Sequence, residues 1–264
     1  MVGFVSDNVI RFDLSTGAWE EVIKLNPDDR PRGVAVDGAG RIYVGLRGGS
    51  QNVKRFEWDG TPLGDFTASI GGFGTGLIAF NDSGELIVAG DVSSGSSVFR
   101  YDGATGALID SFSVGGLTNV VGLAVDGDFA HSAALFSGNI ARYDLSQSPV
   151  AGATFVAGGG LVDRPIGMTV GHTGNFFVSS TYDPAIQEFD IDTGVFVGTS
   201  LDVSALGFSG VVDFHYDGPT DHYFLTTHDD SVYEIDSAGT LFATYQSNAL
   251  DGAYAMTLVS TAPP

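Results

Sequence analysis

A chain of 264 residues with 32 acidic against 11 basic side chains, a net charge of −21 and no cysteine excludes disulfide and thiol chemistry. It also excludes a basic nucleic-acid surface, because phosphates would be repelled, and disfavours anionic membranes for the same reason. Hydrophobic residues at 43% and aromatics at 11% suffice for a packed core, while no apolar run approaches a membrane span.

The chain opens inside a repeating unit. Val2 to Ser6 reads as the second strand of a four-stranded unit, Asn8 to Asp13 as the third and Ala18 to Ile23 as the fourth. The first whole unit opens at Gly33. Gly33 to Val36 is a strand, and Asp37-Gly38-Ala39-Gly40 is a hairpin turn, since Asp-Gly tolerates the positive φ such turns need. Arg41 to Val44 is a second strand. Val53 to Trp58 alternates with period two as a third strand. Asp59-Gly60-Thr61 then turns the chain, and Leu63 to Phe66 begins the fourth.

Later units open at Gly76, Gly122, Gly167 and Gly210. Their first turns are Asn81-Asp82-Ser83-Gly84, Asp126-Gly127-Asp128, Gly171-His172-Thr173-Gly174 and Asp217-Gly218-Pro219. The final stretch, Gly252 to Val259, supplies a first strand alone. A second marker keeps the same spacing: Phe12-Asp13, Trp58-Asp59, Tyr101-Asp102, Tyr143-Asp144, Phe189-Asp190 and Ile235-Asp236 recur 42 to 46 residues apart. No stretch holds a 3.6-residue apolar period, so helix should be nearly absent.

A four-stranded repeat at this spacing predicts an all-β fold, a six-bladed β-propeller of four-stranded blades. The offset ends predict that the last blade is closed by N- and C-terminal strands. One domain is expected over 1–264, with blades near 30–70, 74–115, 119–157, 164–203 and 208–247, and a sixth joining 250–264 to 1–25. Twenty-six of the acids are Asp, and turn formation accounts locally for most of them.

The stretches from Arg30 to Val44 and from Arg164 to Val170 resemble NHL-type repeats. They also resemble the broader six-bladed superfamily of gluconolactonase-like hydrolases, strictosidine-synthase-like proteins and streptogramin lyases. The acidic, cysteine-free composition and the closing Ser260-Thr261-Ala262-Pro263-Pro264 resemble bacterial secreted proteins that carry a PEP-CTERM sorting signal. That second resemblance implies a secreted or cell-surface protein whose signal and anchor segments lie outside this sequence. The end itself reads as the start of a linker.

The resemblance implies that ligands bind over the central channel, on the face built by loops entering each first strand and loops joining second to third strands. It nominates Arg32, Arg47, Asn52, Asn119, Arg164, Tyr182 and His228 as a ligand-binding rim. Gluconolactonase-like enzymes use a Glu, Asn and Asp set around the channel. The resemblance therefore implies a calcium-type site, Ca2+ held by Asp91, Asn139, Asp183, Asp229 and Asp251, since hard cations take oxygen ligands. The departure is that no Glu stands beside an opening glycine, where that family's first ligand is expected.

His215, His222 and His228 crowd the fifth unit but match no zinc signature. The strand reading disperses them. His228, beside Asp229 on the rim, is the candidate general base. No nucleophile elbow occurs. Gly71-Gly72-Phe73-Gly74 and Gly158-Gly159-Gly160 precede first strands without the helix or lysine of a phosphate loop.

Two functions are expected to compete. One is a secreted or surface non-catalytic binding or scaffold propeller that recognises a small molecule, glycan or protein. The alternative is a metal-dependent, calcium-type hydrolase or lyase of the gluconolactonase-like class.

Overall fold

The computed structural model describes residues 1–92, 95–158 and 160–259. The linker reading of Ser260 to Pro264, and Gly159 within its glycine run, lie outside the described residues. Six antiparallel sheets follow one another along the chain. The first holds β1 (Val2–Gly3), β2 (Asn8–Phe12) and β3 (Trp19–Lys24). The next holds β4 (Pro31–Val36), β5 (Ile42–Leu46), β6 (Val53–Phe56) and β7 (Pro62–Asp65). Then come β8 (Thr75–Phe80), β9 (Leu86–Val92), β10 (Gly95–Tyr101) and β11 (Leu108–Phe112), followed by β12 (Val120–Asp126), β13 (Phe129–Ala134), β14 (Ile140–Asp144) and β15 (Ala151–Val156). The last two sheets are β16 (Pro165–Val170), β17 (Phe176–Ser180), β18 (Asp183–Phe189) and β19 (Phe196–Asp202), and β20 (Asp213–Asp217), β21 (His222–Thr226), β22 (Ser231–Asp236) and β23 (Leu241–Gln246). The one helical element among the described residues is a 3-10 turn, Ser204–Leu206. The expected six-bladed propeller is the observed fold.

Strands pack side by side around the centre: the inner strands β4 on β8, β8 on β12, β12 on β16 and β16 on β20, with β1, the second strand of the shared blade, on β4. This proximity explains the opening glycines. A Cβ on Gly33 would lie 2.8 Å from the Gly76 carbonyl oxygen, one on Gly76 2.4 Å from that of Val121, and one on Gly122 2.3 Å from that of Ile166. Any side chain there would force the blades apart. Outward from the channel, each seam is filled by large side chains. Tyr43 meets Phe66 and Phe80 edge-on, with ring centres 4.9 Å apart in both pairs, and Phe177 stacks on Tyr223.

Polar bonds also cross the seams. Arg11 donates to the Trp58 carbonyl, Arg100 to that of Leu145, and Arg142 to those of Ile191 and Asp192. The Tyr245 hydroxyl donates to the Leu14 carbonyl. The turn aspartates work within blades. Asp13, Asp102, Asp144 and Asp190 accept from the hydroxyls of Ser15, Thr105, Ser146 and Thr193, and Asp236 from the Thr240 amide, at 2.6 to 2.7 Å. Those bonds hold all five carboxyls below the usual range. The Asx-turn reading is therefore met at these positions.

Two register expectations need correction. The third strand of the first whole blade ends at Phe56, not Trp58. Its turn is closed by Glu57 N–H to the Thr61 carbonyl and Gly60 N–H to that of Glu57. Phe56-Glu57 thus holds the place that Tyr101-Asp102 holds elsewhere, and Trp58-Asp59 lies inside the turn. The second correction concerns Gly210, which stands ahead of β20. Asp213 takes the inner-strand place, with its Cα 2.9 Å from where a Gly167 Cβ would be.

The ends of the chain complete one blade. Val2 N–H donates to the Ala255 carbonyl at 2.9 Å, Phe4 N–H to that of Gly252 at 2.7 Å, and Tyr254 N–H to that of Val2 at 3.2 Å. Gly3 and Ala253 form an antiparallel bridge. The C-terminal segment is also gripped from the fifth blade. Met256 N–H donates to Asp213 at 3.0 Å and Ala253 N–H to Asp230 at 2.8 Å. Asp213 is 3% exposed, so its removal strands buried amides. We expect Asp213→Ala to cost roughly 2–4 kcal/mol of stability in urea unfolding. A loss below about 1 kcal/mol would mean that pairing with Val2 carries the closure alone.

Candidate functional site

Two faces are available for binding. The first is the channel interior toward the exits of the inner strands. It encloses about 410 Å³ and is lined by Val34, Leu77, Leu123, Met168, Asp213 and His215 among others. Asp213 and His215 stand two apart on β20 and so share a face. His215 Nε2 lies 3.4 Å from Asp213 Oδ2. Burial opposes charge on this imidazole, but the Asp213 carboxylate outweighs it and the net shift is upward. Sequence reasoning missed this pair. The signal was available in the spacing of Asp213 and His215.

The second face carries the loops entering the inner strands and those joining second to third strands. Its backbone is unusual. Arg30, Gly74, Asn119 and Arg164 each immediately precede an inner strand, and all four have positive φ, at 49°, 75°, 60° and 54°. Glycine takes this conformation freely, whereas a branched-out side chain pays about 1–2 kcal/mol. Arg30 and Arg164 nonetheless place a long cationic side chain there, and Asn119 a short amide that tolerates the conformation. Strain retained at one face motivates a functional reading of it.

Each nominated rim residue has a definite setting. The Arg164 guanidinium lies 4.7 Å from the Tyr182 ring centre and 5.9 Å from that of Phe136. Tyr182 stacks on His228, ring centres 6.1 Å apart. Tyr182 and Phe136 are exposed at 58% and 67%. Arg32 and Arg47 both lie against the Phe4 ring, at 5.6 and 5.8 Å, and Arg32 also against Tyr254 at 5.3 Å. Asn119 donates to Asp91 at 2.5 Å. Asn52 is buried and donates to the Thr67 carbonyl; it braces its loop and does not present its amide to a ligand. Phe4, Phe136 and Tyr254 were not nominated from sequence.

The residues nominated for calcium are engaged locally. Asp91 accepts from Asn119. Asn139 accepts from Gly158 N–H at 2.5 Å and donates to the Gly116 carbonyl. Asp183 accepts from Ala185 N–H. Asp229 accepts from the Thr227 and Tyr233 hydroxyls. Asp251 meets Ser6 through its backbone. Among the described residues no three His, Asp or Glu side chains stand close enough to hold one metal ion.

The three histidines of the fifth blade occupy separate environments. His215 pairs with Asp213, His222 Nδ1 lies 2.6 Å from Glu234 Oε1, and His228 Nε2 lies 3.2 Å from the Thr181 carbonyl. A carbonyl only accepts, so the neutral His228 ring carries its proton on Nε2. Asp229 is turned toward Thr227 and Tyr233 and makes no ion pair with His228.

No protein-family model and no curated protein sequence matches the chain. Solved structures do. Selenomethionine-substituted virginiamycin B lyase from Staphylococcus aureus matches at a TM-score of 0.64 and 13% identity, over 84% of this chain and 72% of that one. A chain in the nidogen/laminin complex matches at a TM-score of 0.72 and 11% identity, over 94% and 93%. At such identities the likeness is one of fold. No helix among the described residues is long and apolar enough to cross a membrane.

Proposed function

We propose that this chain is a non-catalytic recognition propeller, displayed outside the cell, that binds a macromolecular partner over the entry-loop face. The carrying observation is the group Phe136, Arg164, Tyr182 and His228, in which two largely exposed rings flank a cation held on a strained backbone. Aromatic and arginine side chains dominate the energetics of interfaces, and exposed aromatics mark them. Phe73 on the same face is also exposed, at 58%. The nidogen/laminin structure supports the reading at the level of fold, since a propeller of this shape occurs in a protein–protein complex. Extracellular display is supported by the acidic composition, which suits surroundings where salt and divalent cations screen self-repulsion.

The test is binding to immobilised panels of extracellular proteins and glycans. Affinity for a ligand so identified is expected to fall at least about tenfold in Tyr182→Ala and in Arg164→Ala, with melting temperatures unchanged. Equal affinity in wild type and both variants would move the interface off this rim.

A further inference from the structure

Six of the eleven cations are paired with carboxylates: Arg11, Lys24, Arg30, Arg41, Lys54 and Arg100. Arg142 is spent on two carbonyls, and Arg55, whose Nε is also buried without a partner, lies over the Phe66 ring and meets Tyr43. Arg32, Arg47 and Arg164 differ: among the described residues no hydrogen bond or ion pair reaches their guanidinium groups. All three lie on the entry-loop face of a chain with 32 acids, where partners are plentiful. Arg32 and Arg47 are the sharper case. Arg32 is only 9% exposed, and Nε of both residues is buried without a partner. Buried polar atoms are ordinarily satisfied, so two such atoms side by side call for an explanation.

Their surroundings define what is missing. Arg32 comes from β4 and Arg47 follows β5, both in the first whole blade. Phe4 and Tyr254, whose ring centres are 5.7 Å apart, come from the blade shared by the termini. The aromatic pair thus backs both guanidinium groups across one seam. The nearest acid to influence Arg47, Asp91, is taken up by Asn119. Burial and the neighbouring charges of Arg32 and Arg30 hold Arg47 below its usual range. Two cations brought together on an apolar backing, with no carboxylate in ion-pair contact among the described residues, repel one another unless an anion joins them. Planar guanidinium forks match oxyanions bidentately.

We propose that Arg32 and Arg47, backed by Phe4 and Tyr254, bind an oxyanion group of the ligand, a carboxylate or a phosphate. This rests on the recognition reading and gives its ligand an acidic contact point. The net charge of −21 then works for selectivity: the surrounding surface repels anions generally, so only one that reaches both arginines is held.

The test is thermal unfolding of the full chain with sodium D-glucuronate, sodium acetate or inorganic phosphate, against sodium chloride at equal ionic strength. At concentrations tenfold or more above Kd, an oxyanion probe is expected to raise wild-type Tm by roughly 2–4 °C over chloride. Arg47→Gln should abolish that shift while its own Tm without probe is equal to or above wild type, because a repulsion is relieved. Arg32→Gln is the second variant. Glucuronate and acetate acting without phosphate assign a carboxylate; phosphate acting alone assigns a phosphoryl group. An absent oxyanion effect in wild type, or an equal one in Arg47→Gln, overturns the proposal. Binding on the panels that depends on Tyr182 but not on Arg47 would overturn it while leaving the recognition reading in place.

Discussion

A chain ending at Asp251 is expected to lose its cooperative melt or to associate into higher oligomers. The removed segment supplies the inner strand of the shared blade. Its loss deletes the bonds from Val2, Phe4 and Tyr254, and those to Asp213 and Asp230. At about 1 kcal/mol net each, these five bonds approach 5 kcal/mol. Met256, 5% exposed, and the Tyr254 ring against Phe4 add roughly 1.5–3 kcal/mol apiece. The sum is comparable with the whole stability of a typical domain, about 5–15 kcal/mol. The cut also bares β1 as an unpaired edge, a template for association. Size-exclusion chromatography with a thermal melt decides the matter. A truncated chain that stays monomeric and melts with the full one would sink the shared-blade account.

His131→Phe is expected to stabilise the protein at neutral pH and to remove much of its sensitivity to acid. His131 is 1% exposed on β13, packed on Phe176 at 4.4 Å and Phe155 at 5.0 Å, and both ring nitrogens lack a partner. Burial, with a smaller contribution from Arg142, lowers its pKa to about 3. The folded ring therefore stays neutral while the unfolded chain takes up a proton near pH 6.5. The unfolded state binds more protons below that value, so stability falls as pH falls from about 6.5 toward 3. At about 1.4 kcal/mol per unit, and with the unfolded ring half protonated at pH 6.5, the drop from pH 6.5 to 4.5 amounts to roughly 2 kcal/mol. Phenylalanine carries no proton and leaves no orphaned nitrogen, a gain of about 1–2 kcal/mol at pH 7. The turn aspartates titrate at more acid pH, so the difference between variant and wild-type curves isolates His131. Parallel curves for the two proteins from pH 7 to 4.5 would show that the ring finds a way to protonate in place.

The fold was legible wherever a constraint is local. An inner strand that passes within contact of its neighbour needs glycine, and a tight turn needs Asp or Gly. Gly33, Gly76 and Gly122 announce themselves on those grounds. Register failed where the requirement was met differently. β20 puts a buried carboxylate, Asp213, in the glycine's place and uses it to hold the terminal strand. In the first whole blade the marker pair is Phe56-Glu57, and Trp58-Asp59 stands two residues further on, inside the turn.

The candidate site divides along the same line. Arg32, Arg47, Arg164 and Tyr182 follow from the phase of the repeat, because that phase assigns every loop to a face. Phe4 and Tyr254 do not follow. They stand at opposite ends of the sequence and meet only when the ring is closed. The calcium nomination rested on the same phase. Phase places Asp91, Asp183 and Asp229 on one rim, but each carboxylate turns to a hydroxyl or amide within a few residues or in the next loop.

Closure of one blade by both ends has a consequence for biosynthesis. β1 is made about 250 residues before its inner partner. At roughly 5–20 residues per second, β1 waits on the order of tens of seconds for Gly252 to Met256 to emerge. Throughout that interval the nascent chain is an open arc with a bare strand edge, and the rings of Phe4 and Phe12 wait for Tyr254 and Tyr245. The anion pocket assembles at the same moment as the ring, so a nascent chain cannot engage its ligand until it has finished folding.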